Sequence, residues 1–255
     1  MNGRRLALIL MLLILGGCSS QGARHVDSGG DTANAAYTRL GLEYLQAGDL
    51  LGAKRAFRKS LSIAESDAEA YNGLALVFQL EGELGLAEEY FQKATRYAPQ
   101  SAMIHNNFGA FLYAAKRYPE ACKELAQATQ DPFYTRRSQA FENLGRCYTH
   151  LQRWDAAAHA FERALQISPS RAISMVELAD IKVRSGNFRQ AEVYFERFAD
   201  LVEKRRVEHY AKSLWVGIRI ARERGKASQA ATYALLLKNL FPDSAEYKLY
   251  EESAR

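Results

Sequence analysis

The chain has 255 residues, 48% of them apolar and 25% charged, with a formal net charge of +5. That is ordinary globular composition, enough for one large domain or a repeat array. The basic residues are scattered among acids and form no long run, which gives nucleic-acid binding no support. Proline occurs only five times and aromatics are plentiful, so a mostly α-helical chain with a packed core is expected.

The N-terminus reads as three zones: Arg4 and Arg5, an unbroken apolar run Leu6–Leu15, then Gly16-Gly17-Cys18. Ten apolar residues rise about 15 Å as a helix, half of a bilayer core, so the run has the proportions of a secretory signal and not of a membrane span. Small residues before a cysteine resemble the bacterial lipobox, in which the signal is cut off and the cysteine is acylated. Residues 1–17 are therefore read as a lipoprotein signal peptide and Cys18 as the lipidation site; the alternative is a plain signal peptide with an incidental cysteine. Ser19 follows, where Asp would favour inner-membrane retention in the class this resembles, so the outer membrane is expected, with the body in the periplasm. Residues 18–33 are polar and rich in Gly and Ser, a flexible lipidated tether. Two units of the positive charge sit on Arg4 and Arg5 and leave with the signal.

From Asn34 one pattern recurs about every 34 residues. The unit 68–101 shows it best: Tyr71, Leu74-Ala75, Phe78, Gly82, Ala87, Phe91, Ala94 and Pro99. Units 34–67, 102–137, 138–171 and 172–210 repeat it, and 211–244 carries a weaker copy. This is the signature of tetratricopeptide (TPR) repeats, and it predicts an all-α superhelical solenoid of six helix–turn–helix units, with 245–255 as a capping segment. Gly48, Gly82 and Gly186 share the slot where a left-handed residue ends a first helix. Pro99, Pro169 and Pro242 stop the second. Gly41, Gly109 and Gly145 are expected to let paired helices approach against Ala53, Ala121 and Ala157, with Phe57, Phe91, Phe161 and Phe195 filling the seams.

No motif for phosphate binding, nucleophilic catalysis or metal ligation is present, so no enzyme, cofactor, metal or small-molecule substrate is expected. The acids read mostly as solvated helix faces. Cys122 and Cys147 fall on neighbouring helices of units three and four; an exported chain meets an oxidising compartment, so a disulfide is geometrically open to them, the alternative being two buried thiols. First helices of such hairpins line a concave face, and the slots expected there hold Asn72, Asn106, Asn107, Tyr113, Asn143 and Arg146. Asparagine is a poor mid-helix residue, and its amide pairs well with an extended peptide backbone, which suggests a peptide groove over units two to four. Turn capping or plain solvent exposure is the alternative for these asparagines.

Beyond the generic slots, HNNFGAFLYAAKRYPEACKEL (105–125), DPFYTRRSQAFENLGRC (131–147) and the stretch 213–247 closely resemble the type IV pilus pilotin family, PilF or PilW. The resemblance implies an outer-membrane lipoprotein that binds the secretin subunit of the pilus, promotes its localisation and assembly, and so supports pilus biogenesis and twitching motility. A TPR scaffold lipoprotein for β-barrel assembly or cell-wall enzymes is the competing reading.

Overall fold

The computed structural model describes residues 32–253. The expected signal peptide, Cys18 and the tether up to residue 31 lie outside the described residues. Thirteen helices and no strand occupy the described part. Twelve pair as hairpins: α1 (Ala33–Gln46) with α2 (Leu50–Ile63), α3 (Ala68–Glu81) with α4 (Leu84–Tyr97), α5 (Ala102–Ala114) with α6 (Tyr118–Ala128), α7 (Arg137–His150) with α8 (Trp154–Ile167), α9 (Ala172–Arg184) with α10 (Phe188–Glu203), and α11 (Ala211–Glu223) with α12 (Ala227–Leu240). α13 (Ala245–Glu252) closes the end against α11 and α12. None of these helices is long and apolar enough to cross a membrane.

Local chemistry sets the helix ends. Gly48, Gly82, Gly186 and Gly225 have φ between 70° and 81°, the left-handed turn that glycine adopts without steric cost. Lys116 and Gln152 do the same work in the third and fourth hairpins with positive φ and a side chain present, and Arg205 does so after α10, in the link to the sixth hairpin. α4, α8 and α12 each stop two residues before a proline, because the residue preceding proline is pushed out of the helical region. Asp49 and Asp67 cap α2 and α3 by accepting from the amides of Gly52 and Ala70 at 2.8 and 3.0 Å.

Stacking is one-dimensional. α1 touches α3, and so on through α5, α7, α9, α11 and α13, whereas no second helix of a described hairpin reaches the next second helix. First helices are thus crowded together and form the concave wall, and second helices fan out on the convex side. The all-α solenoid of six TPR hairpins is the observed fold.

The close approaches have a different partner from the expected alanines. A Cβ on Gly41 would come within 2.5 Å of Phe57, one on Gly145 within 2.7 Å of Phe161, and one on Gly109 within 2.6 Å of Leu125. Ala53, Ala121 and Ala157 are buried, but it is the large side chain one turn further on that fills the space left by glycine. Phe57 also overlaps a Cβ position on Gly73, so one ring is wedged between two hairpins. Phe57, Phe91 and Phe161 are fully buried.

Candidate peptide-binding groove

The six residues expected in the groove separate into two groups. Asn72 and Asn106 are 2% and 6% exposed and face the neighbouring hairpin. Asn107 donates Nδ2–H to Asn72 Oδ1 at 3.1 Å, and Asn143 donates to Asn106 Oδ1 at the same distance. These amides therefore first of all pin the stacking of hairpins two, three and four, which satisfies polar atoms that burial would otherwise make costly. Asn107, Tyr113, Asn143 and Arg146 stay half-buried. Tyr113, Asn143 and Arg146 meet with Ala110 and Leu125 around a recess of 190 Å³. The Arg146 guanidinium lies 5.1 Å from the centre of the Tyr113 ring.

Beside them His150 stacks on Tyr118 with centres 4.3 Å apart and meets Tyr113 edge-on. Burial, aided by Arg146, holds its imidazole below the ordinary value. Cys122 and Cys147 are joined by a disulfide, with Cα atoms 5.6 Å apart. It fastens α6 to α7, beneath the same stretch of the concave wall.

The groove continues onto polar residues that the sequence had assigned to solvated faces. Glu142 (4% exposed), Glu177 (9%) and Asp180 (4%) are buried. Glu142 pairs with Arg171 and accepts from the Ser174 amide and hydroxyl, capping α9 from the hairpin before it. Glu177 binds Lys212 at 2.6 Å, and Asp180 is held by Arg219, Arg184 and Lys212. Each acid crosses to the next inner helix or reinforces one that does, so ionic rungs replace the amide rungs in the second half of the stack. The signal was present in the slots: Glu142 occupies the position of Asn106, and Glu177 that of Asn107 and Asn143, when repeats are aligned on Gly109, Gly145 and Ala179.

Among the described residues no group of three or more His, Cys, Asp or Glu side chains could hold a metal ion. A stack of helical hairpins with an open polar and aromatic inner wall defines the molecule as a tetratricopeptide repeat protein. Family models described as tetratricopeptide repeat match residues 38–102, 100–170 and 136–204. The chain is 38% identical to the type IV pilus assembly protein PilF of Pseudomonas aeruginosa over 251 residues, 97% of this chain and 98% of that protein. The solved structure of P. aeruginosa PilF superposes with a TM-score of 0.78, covering 87% of this chain and 97% of that one. The structure of PilW, a widely conserved type IV pilus biogenesis factor, gives 0.69 at 28% identity, covering 86% and 99%. The chain belongs to the PilF/PilW family of TPR proteins of type IV pilus biogenesis.

Proposed function

We propose that the protein is a pilotin: a lipoprotein held by acylated Cys18 on the periplasmic side of the outer membrane, where it binds the secretin subunit and promotes its localisation and multimer assembly, and with it twitching motility. The observation that carries this reading is the end-to-end match to a type IV pilus assembly protein, on a fold whose first helices stack side by side from α1 to α11. The protein acts by binding and not by catalysis. Cys18 supplies membrane partitioning and residues 19–33 supply reach. More than one acyl chain on the same cysteine gives a lasting anchor. Tethering both partners to one membrane raises their effective concentration, so a groove of modest affinity suffices.

The test is Cys18→Ser in cells deleted for the native copy. The expected result is loss from the outer-membrane fraction, with few SDS-resistant secretin multimers and unchanged bulk outer-membrane proteins. Normal fractionation together with normal multimers would refute the anchor, and failure of the purified chain to retain the secretin subunit would refute the partner.

A further inference from the structure

Helix order gives the solenoid two edges. The turns within hairpins, from 47–49 to 224–226, share one edge. The links between hairpins, from 64–67 to 204–210, share the other, about 20 Å away, the length of a 14-residue helix. α1 begins at Ala33 on the link edge, so the chain that follows Cys18 joins the solenoid there. The links 64–67, 98–101 and 168–171 have four residues each, whereas 129–136 has eight.

Phe133, in the middle of that long link, is 90% exposed; among the described residues the next most exposed large apolar side chain, Leu80, is 65%. The exposure is built in. The Phe133 amide donates to Asp131 Oδ1 at 2.8 Å, and the Arg137 amide donates to the Tyr134 carbonyl at 3.0 Å. Arg137 Nε donates to the Thr129 carbonyl at 2.9 Å and ties the two ends of the link together. Its guanidinium lies 5.4 Å from the centre of the Phe141 ring, which fixes the tie to α7. A link braced in this way holds the Phe133 ring outward, where a looser one would fold it onto the helices. Arg136 beside it is exposed, and its side chain makes no hydrogen bond or ion pair among the described residues. Asp131 is the one acid in 129–136, and the flanking links 98–101 and 168–171 carry none.

We propose that the 129–136 link is a second membrane contact: Phe133 enters the interfacial zone of an anionic phospholipid leaflet and Arg136 meets a headgroup phosphate, so that the solenoid lies with its link edge on the membrane. The inference rests on the reading of Cys18 as an acylated anchor. Fifteen residues separate Cys18 from Ala33, a reach of up to about 50 Å, more than twice the distance between the two edges. The anchor alone therefore leaves the orientation of the solenoid open, and a second contact closes it. One ring covers about 150–250 Å², far below the roughly 1,200 Å² of a stable protein interface. A bilayer needs no matching cavity to accept a protruding ring. With the anchor concentrating the link at the surface, one aromatic ring and one cation are enough to choose which edge faces the lipid. That favours a lipid surface over a protein partner for this link.

The experiment uses the mature chain from Cys18 onward, coupled through the Cys18 thiol to a maleimide lipid in vesicles of phosphatidylethanolamine and phosphatidylglycerol. The disulfide keeps Cys122 and Cys147 out of the coupling. F133W is compared with the native chain, whose Trp154 and Trp215 give the background. The expected result is added emission that is shifted to the blue and quenched by lipids brominated near the headgroup end of their acyl chains. L84W, at a 55% exposed position on the opposite edge, is expected to stay unquenched. R136E in the F133W chain is expected to weaken the insertion equilibrium about tenfold. Phe133, Arg136 and Leu84 are all exposed, so these substitutions leave the core untouched. Unquenched F133W, or L84W quenched as strongly, overturns the contact, and full quenching in the F133W chain with R136E overturns the headgroup pairing. F133A that loses retention of the purified secretin subunit in the absence of lipid assigns the link to a protein partner and also overturns the contact. Coupling through the thiol makes these outcomes independent of acylation in the cell, which fractionation of Cys18→Ser judges separately.

Discussion

Phe57 offers the sharpest test of how the solenoid holds together. Its side chain is fully buried and its ring overlaps the Cβ positions of Gly41 in its own hairpin and Gly73 in the next. It is the largest member of a small separate core cluster with Ala53, Ala70, Leu74 and Val77. Phe57→Ala leaves a void flanked on two sides by glycine, which has no side chain with which to close it. The expected loss is therefore at the upper part of the usual range, about 3–5 kcal/mol. Among the described residues the first hairpin has a neighbouring hairpin on one side only, so this loss falls on a terminal seam and not on the whole stack. Hydrogen exchange read by mass spectrometry should show amides of residues 33–63 exchanging roughly a hundredfold faster or more, with 138–252 nearly unchanged. Faster exchange spread evenly to α13, or no change in α1 and α2, would refute both the wedge and the nearest-neighbour stacking. Gly73→Ala supplies the converse: its new methyl group meets the Phe57 ring, and destabilisation of about 1–3 kcal/mol is expected, relieved by a smaller side chain at 57.

Two other expectations follow from groups outside the groove. His105 places Nδ1 2.6 Å from Glu124 and Nε2 3.0 Å from the Pro99 carbonyl, both acceptors, so the ring is held as the imidazolium. The Glu124 hydrogen bond, against the cost of burial, raises its pKa above 6.5. A raised folded-state pKa contributes stability fully present below the unfolded value and lost as pH rises through the folded one. The difference in urea unfolding free energy between the native chain and His105→Leu should thus be larger at pH 5.5 than at pH 8.5, and the reverse order would contradict the pairing. For Cys122 and Cys147, closing a loop of 25 residues is worth about 3–4 kcal/mol in the chain-entropy model. Alkylation under denaturing conditions should find neither thiol until a reductant is added, and the melting temperature should drop on reduction; two labelled thiols in freshly purified protein would contradict this.

The solenoid was legible in the sequence because its rules are local and repeated. Gly48, Gly82 and Gly186 end helices through their own backbone, and the prolines stop them the same way, so periodicity alone placed the turns. The close approaches were half legible. Gly41 and Gly145 announced tight packing, but what packs there is the phenylalanine of the same hairpin, and spacing cannot say which side chain enters a gap. The groove was least legible. Asn72 and Asn106 look like ligand-facing amides in a single repeat; only the neighbouring hairpin shows that Asn107 and Asn143 already occupy them. Glu142, Glu177 and Asp180 look like surface acids for the same reason, since the partners that draw them across to the next hairpin lie 29 to 39 residues away.

The amide rungs give the stack a direction, and with it a rule for cutting and splicing it. Each rung needs an acceptor from the earlier hairpin and a donor from the later one; the third hairpin alone carries both, Asn106 for its successor and Asn107 for its predecessor. Excising that hairpin would bring the donor Asn143 to the acceptor Asn72 and leave a matched joint. Excising the second or the fourth would strand an amide at a seam with nothing to receive it. Units two to four, which look interchangeable in sequence, are thus ordered parts, set in sequence by asparagines rather than by the residues that define the repeat.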